Sequence, residues 1–222
     1  MVMRVYKPSI FNKIVYKISR LIQIASLRKK YYKDPIILEK LFCSFEINAY
    51  AVALDVGSGP EPKNPFRATA IFGAELRSDE TKNVVYADLS AGSLPFENET
   101  FDYVTAHDLL EHIVRVSLIG GETKFPFIHL MNEVFRVLKP GGVFFNCQPC
   151  FPFKEAFQDP SHVNIMTEGT MNDYFCEPAW ARIYGYEGSF EMLNEGWVEH
   201  KYFSFMKKVK DYPIRNLDFI QK

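Results

Sequence analysis

The chain has 222 residues, 47% of them apolar and 24% charged, with a formal net charge of −1. That is the profile of one ordinary globular domain with ample chain for a core. Ten Lys and Arg stand against only Asp34 and Glu39 in residues 1–40, and the remainder is acidic, which argues against a nucleic-acid substrate whose phosphates need a basic groove. No run reaches the ~18–20 apolar residues of a membrane span, and the N-terminus lacks a signal-type stretch of ~7–15 apolar residues. Cys43, Cys147, Cys150 and Cys176 form no disulfide framework, so a cytoplasmic protein is expected. Cys147-Gln148-Pro149-Cys150 has C-x-x-C spacing, but it follows a predicted strand and has no second pair, which weighs against redox or zinc use. Packing accounts for most of the twenty Phe and twelve Tyr; the excess suggests a flat apolar or carbohydrate-facing surface.

In chain order, Phe11, Ile14, Val15, Ile18, Leu21, Ile22 and Ala25 recur at helical spacing with Lys13, Lys17 and Arg20 between them, an amphipathic basic helix. The favoured reading is a helix packed over the sheet or lidding a ligand; the other is a peripheral contact with anionic lipid or a glycolipid. A second helix is predicted from Asp34 to Phe45, with Asp34 as N-cap and Pro35 at the first position. Residues 1–45 are therefore expected to form a helical cap. An apolar run, Ala49 to Val56, then ends at Gly57-Ser58-Gly59, as a buried strand ends where the backbone must approach a ligand. Pro60, Pro62 and Pro65 follow and forbid a regular helix, so an irregular crossover is predicted. One acid ends a second strand (Ala74-Glu75-Leu76) and another a third (Val84 to Asp88). Leu94-Pro95-Phe96 precedes a fourth strand, Phe101 to Thr105, and Ala106 to Ile113 is expected to turn into a helix. Residues 114–124 are expected to be a mobile loop. Phe127 to Val137 predicts a helix stopped by Lys139-Pro140-Gly141-Gly142 before a buried strand, Val143 to Asn146. A proline-turned loop, Ala156 to Asn164, belongs to a substrate-loop insertion at about 150–188. A closing hairpin, Phe190 to Leu193 and Val198 to Met206, is expected to turn through Asn194 to Trp197.

The ordered set from Ala49 to Pro149 resembles the class I S-adenosylmethionine-dependent methyltransferases, in particular the methyltransferase type 11-like group with Leu-Glu-His after the fourth strand, here Leu110-Glu111-His112. The resemblance implies an α/β, Rossmann-like, doubly wound seven-stranded sheet with a terminal antiparallel hairpin and added N-terminal helices, the cofactor-binding domain filling 46–222. It implies S-adenosylmethionine held by Asp55, Gly57, Ser58 and Gly59, by Glu75 on the ribose hydroxyls, by Asp88 and Leu89 at the adenine, and by His107. This chain lacks the family's third glycine; free N–H groups of Gly57 to Gly59, or Lys63, are expected to hold the methionine carboxylate instead. The loop after the fifth strand is similar to those of bacterial methyltransferases associated with cell-surface polysaccharide synthesis.

Methyl transfer from a sulfonium needs an aligned acceptor and, for an alcohol, a base. His112, His162 and Asp159 are the candidates; His129 and His200 read as structural or exposed. Asp108, Glu111 and His112 lie at i, i+3 and i+4, one face of a helix, and resemble the acid-x-x-Glu-His metal ligands of ubiquinone-biosynthesis O-methyltransferases. Asp159 and His162 would complete an oxygen-rich shell for magnesium or manganese; the alternative is that the glutamate and histidine hydrogen-bond locally. The expected acceptor is a sugar hydroxyl in cell-surface polysaccharide or glycolipid synthesis, with a quinone or phenol as one alternative and a non-catalytic cofactor-binding subunit as another.

Overall fold

The computed structural model describes residues 10–25, 27, 29–46 and 48–209. Its centre is a run of parallel strands made by short apolar segments: β2 (Val52–Val56), β3 (Ala70–Glu75), β4 (Val84–Tyr86), β5 (Phe101–His107) and β8 (Leu138–Pro149). The closing strands β9 (Phe190–Val198) and β10 (Lys201–Lys208) pair with each other and, through β10, with β8, antiparallel in both cases. A two-residue strand β1 (Tyr31–Tyr32) lies parallel to β9. The order is β1-β9-β10-β8-β5-β2-β3-β4, so the expected seven-stranded arrangement is present with one more edge strand drawn from the N-terminal segment.

The two faces of the sheet are covered differently. Phe144 and Met206 face the larger core, where α3 (Pro126–Val137) packs with Met131 and Val134 fully buried. Phe145, Cys147, Phe203 and Phe205 face α2 (Ile36–Phe42), whose Phe42 ring sits 4.7 Å from that of Phe145. Each such fully buried side chain contributes roughly 1.5–3 kcal/mol by area. Cys147 and Cys150 fall in different cores, which removes the C-x-x-C pair from further account. Pro35 precedes α2 while Asp34 Oδ1 accepts from Ile36 N at 3.0 Å, close to the predicted cap.

The crossover from β2 to β3 contains no helix. Asn64 closes a turn on Ala68, the Phe66 ring stacks on Tyr103 at 4.2 Å, and the chain lies flat on the sheet. Gly73 permits this: a Cβ there would stand 2.4 Å from Ser58 Oγ and 2.8 Å from Pro62. Leu94-Pro95-Phe96 is a structural knot. Arg136 donates to the carbonyls of Leu94 and Phe96, and Glu133 accepts from Leu94 N at 2.7 Å.

Three local expectations fail. No α-helix follows β5, only a 3-10 turn at Leu110–His112, because Asp108 N is held by Cys147 O and Asp108 takes a left-handed φ of +50°. Residues 114–124 are not a plain loop, since β6 (Ser117–Ile119) and β7 (Glu122–Lys124) pair there as a hairpin. Asn194 to Trp197 continue β9, and the closing turn falls at Glu199 and His200, where Glu199 has φ +54°.

The helix α1 (Ile10–Ala25) is amphipathic as expected, but its apolar arc faces outward. Leu21 and Ile22 are 65% and 66% exposed, with Ile14, Val15 and Ile18 near half. It meets the body through Ile24, packed on the large core, and through Tyr16, whose ring lies beneath the Lys154 ammonium at 5.5 Å. Two small helices, α4 (Glu155–Gln158) and α5 (Thr170–Phe175), complete the segment after β8.

Candidate active site

The carboxyl ends of β2, β3 and β5 meet at one edge, where parallel α/β sheets place their ligands. Gly57 and Gly59 both have positive φ, +67° and +60°. A Cβ on Gly57 would meet Leu109 at 2.6 Å, whereas one on Gly59 would point into open space. The backbone here is thus shaped for a close approach that side chains would spoil. Glu75, the last residue of β3, accepts from Gly59 N at 3.2 Å and from Leu76 N at 2.8 Å, which fixes its carboxylate at the loop. Asp88 lies just past β4 and accepts from Ser90 N, with Leu89 buried beside it.

Asp55 has a different setting from the rest of the predicted cofactor group. It is 1% exposed and spends its oxygens on Thr105 Oγ1 (2.7 Å) and Lys63 N (2.8 Å). Burial raises its pKa against those two bonds. It anchors the crossover against the sheet. Ser58 likewise turns inward, donating to Gly59 O. His107 closes β5 with its ring 5.2 Å from Phe145. Burial, then the nearby Lys63 charge, pulls its pKa down to about 4, so it is neutral at ordinary pH. Among the described residues its buried Nε2 has no hydrogen-bond partner.

A second group lies beyond β5. Val163 N and Asn164 N both donate to Glu111 O at 2.9 Å, and Asn164 Nδ2 donates to Leu110 O, so the 161–167 segment runs alongside 110–115. Sequence spacing could not show this pairing, because the two stretches are some fifty residues apart. It brings Glu111, His112 and His162 together, with potential ligand atoms all within 4.8 Å of one another. Glu111 is 1% exposed; among the described residues neither of its carboxylate oxygens has a hydrogen-bond partner. Burial pushes its pKa up to about 7, the carboxylate of Asp108 adding to the effect. His162 Nε2 stands 4.0 Å from Glu111 Oε1, and the two imidazoles pack edge to face at 4.9 Å.

Carbonyl contacts set the histidine tautomers, since a carbonyl only accepts. His162 Nδ1 donates to Ala156 O, leaving Nε2 basic toward Glu111. His112 Nδ1 lies 3.3 Å from Ser161 O and 3.1 Å from Ser161 Oγ, so it carries the proton and its Nε2 is the basic atom. Ser161 Oγ in turn donates to Asp159 Oδ1 at 2.5 Å. The Ser161 hydrogen bonds hold the Asp159 carboxyl below its usual range. Asp159 therefore acts on His112 through Ser161, a residue the sequence reading passed over.

Asp108 departs from the predicted metal set. It is not on a helix with Glu111 and His112, and it pairs with Lys201 at 2.5 Å. With Asp159 committed to Ser161, the clustered donors are one carboxylate and two imidazoles. That set suits manganese or zinc better than the oxygen-demanding magnesium.

Residues 66–146 match the methyltransferase domain family (Methyltransf_11). A demethylmenaquinone methyltransferase from Lactococcus lactis is 32% identical over 92 residues, an alignment spanning 40% of this chain and 32% of that protein. Among solved structures, an S-adenosylmethionine-dependent methyltransferase from Aquifex aeolicus superimposes with TM-score 0.52 at 15% identity, over 87% of this chain and 98% of that one. The [4+2]-cyclase SpnF does so with TM-score 0.51 at 14% identity, over 90% and 95%. The fold is thus the Rossmann-like fold of S-adenosylmethionine-dependent methyltransferases, and residues 66–146 are similar in sequence to their methyltransferase domain. The cyclase shows why the reaction must be argued from the site.

Proposed function

We propose that the protein transfers a methyl group from S-adenosylmethionine to a hydroxyl of a small-molecule acceptor. The observation that carries this reading is the pairing of a glycine-shaped, acid-tipped strand edge with the Glu111, His112 and His162 cluster. Leu109, which packs over Gly57, joins the two. The cofactor would lie against Gly57 and Gly59, with Glu75 accepting from its ribose hydroxyls and Asp88 and Leu89 at its adenine. His107 Nε2 and Lys63 remain to meet its polar groups, Lys63 taking the carboxylate. The bound cofactor supplies an electrophilic methyl on sulfur. The acceptor oxygen would take that methyl, and the part of the chain would be to align the hydroxyl and take up its proton.

His112 Nε2 receives that proton. Ser161 and Asp159 hold its opposite N–H and stabilise the imidazolium, while Glu111, half ionised near neutrality, adds negative charge beside it. A divalent cation on Glu111, His112 and His162 is the competing occupant and would activate the hydroxyl by lowering its pKa. Chelation separates the two: a histidine base predicts an unchanged rate with EDTA, whereas a cation predicts loss and recovery with manganese or zinc.

For the acceptor, a phenol or quinol hydroxyl fits better than the sugar first expected. Asn164, part of the amide content that favoured a sugar, is fully buried and bonded to backbone. The demethylmenaquinone methyltransferase likeness favours a quinone-type ring over a sugar, without bearing on whether the acceptor atom is oxygen. A sugar hydroxyl in polysaccharide or glycolipid synthesis keeps the support of the exposed Asp159 and Ser161 lip. Methyl transfer from labelled S-adenosylmethionine to paired panels of catechols, quinols and hexoses tests the reading. Cofactor binding with no transfer to any hydroxyl would overturn it in favour of a cofactor-binding subunit.

The outward apolar arc of α1, flanked by Lys13 and Lys17, supports peripheral attachment to anionic lipid over a lid on the site. No helix among the described residues is long and apolar enough to cross a membrane.

A further inference from the structure

A cavity of about 410 Å³ opens beside the Glu111 cluster, between the start of α3, the helix α5 and the 3-10 turn Trp180–Tyr184. That is an ordinary size for a small-molecule site. Val116, Phe125, Ile128, Ile165, Phe175 and Tyr184 supply most of its wall. Arg115, the one charged residue lining it among the described residues, is turned to other use: Nε donates to Asn164 Oδ1 at 2.5 Å and a second guanidinium nitrogen to Ile165 O. The two segments clamped by Arg115 are those that position Glu111, His112 and His162, so cavity and cluster share one wall.

Exposed apolar side chains continue along the elements that form the wall. Val116, in the wall, is 60% exposed, Leu118 two residues on in β6 is 75% exposed, and Trp180, its ring 6.2 Å from that of the wall residue Tyr174, is 58% exposed. Exposed apolar residues of this kind suit contact with an apolar partner. Trp and Tyr are the residues that settle at a membrane–water boundary.

We propose that this cavity holds the hydrocarbon chain of an amphiphilic acceptor drawn from a membrane, an isoprenoid or acyl tail, while its hydroxyl-bearing head reaches the Glu111 and His112 cluster. The chain enters past the hairpin and the Trp180 turn. The assignment of the head rests on the methyltransferase reading; the binding of the chain does not. Chain length then sets affinity, and truncated acceptors without a tail bind weakly.

The test is calorimetric titration of the full chain with farnesol, 1-decanol and 1-hexanol below their aggregation limits, alongside S-adenosylmethionine. Each buried methylene strengthens binding about fourfold, so farnesol and decanol are expected to bind at least tenfold more tightly than hexanol. Ile165→Trp, which fills the cavity, and Val116→Lys, which puts a charge at its mouth, are each expected to weaken farnesol at least tenfold with cofactor affinity unchanged. Leu21→Lys on α1 should leave farnesol binding as it was. Val116 is exposed, so that variant reports even if Ile165→Trp fails to fold. No preference for the longer chains, or farnesol binding untouched by Val116→Lys, overturns the proposal. Chain binding without cofactor binding would leave this site standing and sink the methyl-transfer reading; the converse result would sink this site alone.

Discussion

The two halves of the candidate site are built in opposite ways. The cofactor edge, from Gly57 to Leu89, is local: each key residue ends its own strand, and the order along the chain is the order across the sheet. The acceptor edge is assembled from residues 108–116 and 159–167, which are held together by bonds across the gap from Val163, Asn164 and Arg115. The first half leaves no room for a side chain at Gly57 and strains one at Gly59 through its positive φ, while the second depends on its cross-chain bonds. Damage to one should therefore spare the other.

The largest effect is expected from removing the proposed base. His112→Ala should lower kcat by about 10²–10⁴, with S-adenosylmethionine affinity unchanged by calorimetry. Loss of both together would erase the distinction between the halves. Next, Glu75→Ala should weaken the cofactor by roughly 1–3 kcal/mol, the usual cost of unmet polar groups, and leave kcat at saturating cofactor nearly intact. An unaltered Kd would remove Glu75 from the cofactor site.

Glu111 sharpens the contrast through pH. Its carboxyl is raised by burial to about 7 in the folded protein, against an ordinary value near 4.3 unfolded. Between those values the folded state holds the extra proton, so stability present at lower pH is lost as pH rises through about 7. Glu111→Gln should flatten that part of the Tm-versus-pH curve and raise Tm at pH 8, the gain in stability reaching at most about 4 kcal/mol. A Tm difference between wild type and Glu111→Gln that stays constant from pH 5 to 8 would contradict the buried, unpartnered carboxylate. His107 runs the other way: with its folded pKa down at about 4, stability should fall as pH drops below ~6.5 toward 4.

The smallest effect should come from Ser161→Ala. Asp159 then loses its link to His112, and kcat should drop about tenfold with the acceptor KM little changed. An unmoved kcat would leave Ser161 a turn residue only.

How much of this was readable follows the same division. Glycines with positive φ, acids at strand ends and three prolines in a crossover carry their meaning locally, so residue type and spacing identified that edge and foresaw the missing first helix. Amphipathic periodicity found α1 and α3, but it could not say which way an apolar face would turn. In α3 Met131 and Val134 are fully buried, while in α1 Leu21 and Ile22 lie in the open.

Helical spacing misled at Asp108. A pattern of i, i+3 and i+4 presumes a helix, and the pairing of Asp108 N with Cys147 O extended the sheet instead, turning that carboxylate toward Lys201. The sequence by itself determined the parallel sheet, the glycine turn at its carboxyl edge and the residue types available there. Tertiary structure decided that His162 rather than Asp108 joins Glu111, that Ser161 links Asp159 to His112, and that an apolar cavity opens beside them. The physical reason is range: strand ends and glycine turns are set by neighbours in the chain, whereas burial of Glu111 exists only once a distant loop has closed over it.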